Sequence, residues 1–226
     1  MPVPLSPIEA YRRWAPGWET DPSPIVSLES RYLRSWLDGL GGKAVFDLSC
    51  GPGRWLAYAR AQGAVVFGMD FCREMLLEAR KKPGLAGRLA LADTCRLPLA
   101  SGCADIALCA LSLGHVFEME SAVSELARTV RRGGALLISD FHPDAIRRGW
   151  KRTFRSGGQS YEIETYPYTK ERLIECASTA GLQLLDLVEP AFGDPERSIF
   201  ERAGKPELFA QVCGVPAVLV ARWIRP

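Results

Sequence analysis

Residues 45–55 read VFDLSCGPGRW. The apolar run Ala44 to Leu48 has the length and the bounding turn of a buried strand. It runs into a glycine-bearing turn, and a segment of helix formers, Arg54 to Ala61, follows at once. Gly51 and Gly53 let the backbone take dihedrals closed to other residues and let a ligand come close to the main chain. The helix behind the turn begins with unpaired backbone N–H groups that face the same space. Dinucleotide-binding folds and purely structural turns share this strand–turn–helix unit, so its neighbours must decide what it holds.

Two neighbours narrow the ligand. The dinucleotide fingerprint requires a third glycine three residues after the second, and Leu56 occupies that position. Asp70 closes the next apolar strand, Ala64 to Met69, 19 residues after Gly51, where a carboxylate accepts the hydroxyls of a ribose. Both facts suit an adenosine-containing ligand without a pyrophosphate.

The pattern then repeats. A helix from Arg73 to Lys82 places Met75, Leu76 and Ala79 on one face. Arg88 to Ala92 and Asp105 to Leu113 read as strands, and Val123, Leu126, Ala127 and Val130 recur at helical spacing before a fifth strand, Ala135 to Ser139. Alternating β and α units predict a parallel sheet covered on both faces. Further on, Lys151 to Tyr166 reads as a hairpin about Gly157 and Gly158, and Thr169 to Ala180 as a helix. Leu182 to Val188 and Pro216 to Trp223 make seven strands in all, and Glu189 to Gly214 reads as loop.

The stretches FDLSCGPGR, VVFGMDFCREML, LALADTCRLPLASGCADIALCALSLGHV and ELARTVRRGGALLISDFHP lie in order across residues 44–143. Together they resemble the class I S-adenosylmethionine-dependent methyltransferases of the small-molecule, ubiquinone-biosynthesis-like kind. The resemblance implies an α/β, Rossmann-like, mostly parallel sheet ordered 3-2-1-4-5-7-6 with the last strand antiparallel, and S-adenosylmethionine as cofactor. It implies that Asp47, Ser49 and the Gly51/Gly53 turn lie beside the methionine end and that Asp70 holds the ribose. Phe71 is then expected on the adenine, Asp93 on its amino group with Thr94 beside it, and Met75 and Leu111 against the cofactor. YRRWAPGWE, beginning at Tyr11, looks like the family's aromatic lid segment, with Trp18 in place of a tyrosine. Two departures stand out: Ser49 occupies the position of the loop's usual first glycine, and Cys72 that of a helix-capping serine, where cysteine is the poorer cap.

His115 and His142, the only histidines, follow the fourth and fifth strands, at the sheet end where open α/β folds bind ligands. Either is a candidate general base or acceptor-orienting group for a methyl transfer near neutral pH. Residues 147–155, RRGWKRTFR, hold five basic side chains in nine. They read as a solvated hairpin edge or as an anion- or RNA-binding patch.

Composition removes other classes. The 226 residues carry a net charge of +2, which does not indicate a dedicated nucleic-acid binder. Seven cysteines without a CxxC pair, beside two histidines, argue against a zinc site and for reduced thiols, hence no metal and a cytoplasmic location. The N-terminus lacks a signal-peptide core, and no apolar run is long enough to span a membrane. The expected organisation is one methyltransferase domain. Residues 1–42 form a helical lid, 43–143 the cofactor-binding core, 144–168 an inserted acceptor-binding segment and 169–226 the rest of the sheet. The expected partner is a small-molecule acceptor methylated on O, N or C, the chain being a monomer or homodimer. The alternatives are an RNA methyltransferase, which predicts salt-sensitive RNA affinity, and a cofactor-binding regulator without turnover.

Overall fold

The computed structural model describes residues 1–20 and 22–226. A short strand β1 (Val3–Leu5) and helices α1 (Pro7–Trp14) and α2 (Pro24–Leu33) precede the repeat expected from the sequence. The repeat consists of β2 (Ala44–Leu48), α3 (Arg54–Ala61), β3 (Val65–Asp70), α4 (Arg73–Arg80), β4 (Leu89–Leu91), β5 (Ala104–Ala110), α5 (Met119–Thr129) and β6 (Val130–Phe141). The last part holds α6 (Pro143–Arg147), β7 (Thr153–Ser156), β8 (Gln159–Ile163), α7 (Lys170–Thr179), β9 (Gln183–Val188), α8 (Asp194–Arg202), α9 (Pro206–Val212) and β10 (Val218–Ile224).

Seven strands form one sheet in the order β4-β3-β2-β5-β6-β10-β9. In sheet-strand numbering this is the expected 3-2-1-4-5-7-6. Pairing is parallel from β4 through β6, and β10 runs antiparallel to both β6 and β9. Strand order reverses at β2, between β3 and β5, which opens a crevice at the carboxyl ends of β2 and β5.

Side chains alternate across the sheet, so each strand feeds two cores. Phe46 and Leu48 pack with Leu126, Leu173 and Trp223 on one face. Val45 packs with Leu28, Leu56, Leu137 and Val220 on the other. Coverage of both faces is why β2 and β5 read as continuous apolar runs rather than as alternating ones.

Two features differ from the sequence expectation. The strand β1 pairs in parallel with β8, so the N-terminal segment and the β7–β8 hairpin form a second, three-stranded sheet. Three residues, one of them Pro4, are too few to show a period. The hairpin itself is as expected: Gly157 and Gly158 both take positive φ, 58° and 80°, as a tight two-residue turn requires. The stretch read as loop, Glu189 to Gly214, contains α8 and α9. Ile199, Phe200, Phe209 and Val212 are the only apolar side chains buried along the two helices, too sparse a pattern to reveal them. The first of these helices packs on α2, where Arg31 makes a two-pronged ion pair with the buried Glu196 (3.0 and 3.1 Å), and α9 packs on α8.

Candidate functional site

The turn after β2 is held by a carboxylate. Asp70, at the end of the neighbouring β3, accepts the Gly51 N–H on Oδ2 (2.8 Å) and the Cys72 N–H on Oδ1 (2.8 Å). Each oxygen therefore keeps a lone pair for a ligand hydroxyl. Burial pushes the Asp70 carboxyl up to about 6, against the pull of those N–H donors. Cys72 heads α4 without a side-chain cap bond, consistent with its being a poorer cap than serine.

Ser49 has φ +56°, a left-handed conformation that favours glycine. This gives the physical reason a glycine is usual there. Gly51 lines the cavity described next, whereas Gly53 serves packing: at φ +77°, a Cβ on it would lie 2.7 Å from Leu85 Cδ1 and 3.2 Å from Ala79 Cβ.

A cavity of about 620 Å³ opens over the carboxyl ends of β2, β3 and β5, within the range of small-molecule sites. Asp47, Ser49, Gly51, Asp70, Phe71, Met75, Asp93, Thr94, Leu111, His115 and Tyr11 all line it, and Trp18 and Arg54 join them. Gly53 and His142 are not part of its wall. Asp47 is 2% exposed and its Oδ1 has no hydrogen-bond partner. Burial raises its carboxyl well above the ordinary range, opposed by Arg54. An unpartnered buried carboxylate on a cavity wall is costly unless a cationic donor completes it. The ammonium of an amino-acid moiety fits that requirement, and the adjacent Asp70 fits a ribose.

The structure separates the two histidines. His142 is buried away from the cavity. Its Nδ1 accepts the Asp144 N–H (3.1 Å) as the cap of α6, and its Nε2 meets Glu189 Oε1 at 2.9 Å. Both ring nitrogens are thus engaged outside the cavity. His115 lines the cavity, edge-on to the Tyr11 ring (5.4 Å). Its Nδ1 donates to the Glu164 carbonyl (2.9 Å), and its Nε2 lies 3.0 Å from Arg152 Nη1. Burial first, then the Arg152 charge, push the ring down to about 3, so it is neutral. Burial likewise lifts the Tyr11 hydroxyl to about 12.

Sequence reasoning missed two networks around the cavity. Glu29 on α2, fully buried, accepts from Arg54 Nη1 (2.9 Å), Trp55 Nε1 (3.1 Å) and Ser139 Oγ (2.8 Å). It thereby anchors Arg54 at the cavity edge. A lone Glu in an amphipathic helix carries no sign of this.

The second network lies behind Leu111 and His115. Arg152 donates to the Leu111 carbonyl (2.6 Å) and pairs through Nη2 with the buried Asp140. Asp140 also accepts from the Gly114 N–H (2.5 Å) and the Tyr168 hydroxyl (3.0 Å). Thus one of the five basic residues of 147–155 is turned inward. Arg147 and Lys151 pair with Asp144 and Glu162, so carboxylates match three of the five charges. Residues 144–168 do not line the cavity. They brace its wall from behind, through Arg152, through the Glu164 carbonyl and through the Tyr166 N–H on the Gly114 carbonyl (2.7 Å). The segment 189–214 also stays off the cavity. Among the described residues no cluster of three His, Cys, Asp or Glu side chains is placed to hold a metal, and no helix is long and apolar enough to cross a membrane.

A family described as a methyltransferase domain matches residues 46–138. Methyltransferase GfsG of Streptomyces halstedii is 31% identical over 76% of this chain and 66% of its own length. A demethylmenaquinone methyltransferase of Beutenbergia cavernae is 28% identical over 71% of each. The chain thus spans about two thirds of the length of these curated relatives. Among solved structures, an S-adenosylmethionine dependent methyltransferase from Mesorhizobium loti superposes with a TM-score of 0.70 at 21% identity, covering 90% of this chain and 100% of its own. At that identity the likeness establishes the fold.

Proposed function

Because the chain belongs to the class I S-adenosylmethionine-dependent methyltransferases, we propose that its cavity binds that cofactor and that the protein methylates a small-molecule acceptor. The observation that carries this reading is the pair of carboxylates on one wall. Asp47 has an unpartnered buried oxygen, and Asp70 is aimed by two backbone N–H groups with lone pairs to spare. Asp47 takes the cofactor's ammonium, Asp70 its ribose hydroxyls, and the guanidinium of Arg54, anchored by Glu29, its carboxylate. Ser49 and Gly51 allow close main-chain approach, Phe71 and Met75 flank the adenosine, and Asp93 and Thr94 meet the base. When bound, S-adenosylmethionine supplies an electrophilic methyl group.

The chain's own contribution is largely position. Residues 1–42 cover the core 43–143, and Tyr11 and Trp18 close the cavity from that side. Leu111 and His115 form the wall we assign to the acceptor, with residues 144–168 as their support and 169–226 completing the sheet. His115, neutral and with both nitrogens engaged, orients rather than removes a proton. His142 caps α6 and is assigned no contact with the reactants. Holding an acceptor in line behind the methyl group supplies much of the rate in such a transfer. The pairing of Arg147, Lys151 and Arg152 with carboxylates favours a small acceptor over RNA. The seven free thiols agree with a reducing, cytoplasmic setting.

The test is transfer of labelled methyl from S-adenosylmethionine to a panel of small acids, phenols, amines and quinols, with Asp47→Asn as control. Turnover on one class, lost in the variant, is expected. Cofactor binding without transfer to any acceptor would favour a regulatory role.

A further inference from the structure

Arg152 is a guanidinium buried in an inserted segment, which calls for a reason beyond a surface charge. Its partners come from two places in the sheet. Nη1 reaches the Leu111 carbonyl (2.6 Å) and His115 Nε2 (3.0 Å) after β5, and Nη2 pairs with Asp140 near the end of β6. Its own position precedes β7, in the three-stranded sheet that also ties in the N-terminal strand β1.

The two groups it holds on Nη1 are unusual. Leu111 takes φ +55°, which a bulky residue adopts only when its surroundings impose it. The Leu111 N–H is fixed to the Ser139 carbonyl (2.7 Å), so the Arg152 bond to its carbonyl completes the clamp on that peptide. His115 is held as the Nδ1–H tautomer, since Nδ1 faces the Glu164 carbonyl and Nε2 faces a donor that cannot lose its proton. Both residues line the cavity; Arg152 does not.

We propose that Arg152 is a positioning residue for methyl transfer, fixing the left-handed Leu111 and the His115 tautomer so that the acceptor-side wall is preformed. The kinetic part rests on the methyltransferase reading; the structural part stands by itself. Arg152 supplies no group to the reactants. It uses the fork geometry that distinguishes arginine from lysine: one prong neutralises Asp140, and the other sets the wall. Lysine keeps the charge and loses the fork. If Arg152 serves only to neutralise Asp140, lysine is an adequate replacement.

The discriminating experiment is Arg152→Lys, followed by long-range proton–nitrogen NMR of the two histidines and by steady-state kinetics. The charged and titratable groups facing His115 are Arg152, Asp140 and Tyr11, and the last two are untouched by the change. In the wild type, His115 is expected as the Nδ1–H tautomer with no titration across the neutral range. His142, whose ring is engaged by Glu189 and the Asp144 N–H and not by Arg152, serves as an internal reference in the same spectra. In the variant, His115 should become a mixture of tautomers and its titration should move upward. Meanwhile kcat should fall by about 10- to 100-fold, the scale of a misplaced wall, with KM for S-adenosylmethionine changed less than about threefold.

A folded Arg152→Lys protein whose His115 signals and kcat match the wild type overturns the proposal. A wild-type His115 that is already mixed in tautomer overturns it without any variant. Should even the wild type fail to bind the cofactor, the methyltransferase reading fails, and the histidine spectra still decide the role of Arg152.

Discussion

Lowering the pH should weaken cofactor binding, and the cause is Asp70, whose protonation also adds a stabilising contribution to the empty protein that the neutral, buried His115 opposes over the same range. Its carboxyl lies at about 6 rather than the ordinary 3.8, mainly because it is buried. The folded protein therefore holds this proton more tightly than the unfolded chain. The resulting stability is complete below the unfolded pKa and is lost as pH rises through about 6. The raised pKa corresponds to about 3 kcal/mol across that window. A ribose diol needs the ionised carboxylate as a double acceptor, so its binding follows the opposite course. About one unit below the folded pKa some tenth of the sites remain ionised, and Kd for S-adenosylmethionine should rise about tenfold between pH 7 and 5. Asp47 is also raised by burial, so the assignment requires a variant. Asp70→Asn should bind weakly throughout and lose the part of the slope centred near 6. The assays are calorimetric titration of cofactor and urea unfolding of the empty protein over pH 5 to 8. A Kd that stays flat across the range in the wild type would refute the reasoning about Asp70.

Other outcomes follow from the same geometry. Ser49→Gly removes a left-handed serine but frees the unfolded chain, so urea unfolding should show a gain of at most about 1 kcal/mol, whereas Ser49→Val should lose more than that. Glu29→Ala takes the acceptor from Arg54, Trp55 and Ser139 at once. It should cost about 3 kcal/mol in thermal unfolding and weaken cofactor binding through a loosened Arg54. His115→Ala should leave the cofactor Kd within about threefold while kcat falls by about 10- to 100-fold, measured with whichever acceptor turns over.

The strand-end wall of the cavity was legible in the sequence because it is built from local units. Asp47, Gly51 and Asp70 stand at the ends of apolar strands, and a strand end beside a glycine turn has a fixed place in a parallel sheet. The sheet order came with the family resemblance, and the independent count of seven strands agreed with it. What was not legible depends on contacts far apart in the chain. Arg152 reads as one cation among five in RRGWKRTFR, and only the fold sets it against Asp140 and Leu111. Glu29 similarly sits 110 residues from Ser139. His142 looked equivalent to His115, since both follow strand ends, but the α6 start turns its ring into the N-terminal cap of that helix. The helices of 189–214 went unread because each buries only a few apolar side chains. Ser49 shows the sequence and the structure agreeing in detail: the position that departs from the family's glycine is one where the backbone is left-handed.

The most direct test of the central claim is calorimetric titration of the wild-type protein with S-adenosylmethionine and with S-adenosylhomocysteine, repeated on Asp70→Ala. Saturable binding of both ligands at one site per chain, lost or severely weakened in the variant, is the predicted result. A well-folded wild-type protein that binds neither ligand would contradict the account and leave the strand-end carboxylates and the glycine turn without their assigned ligand.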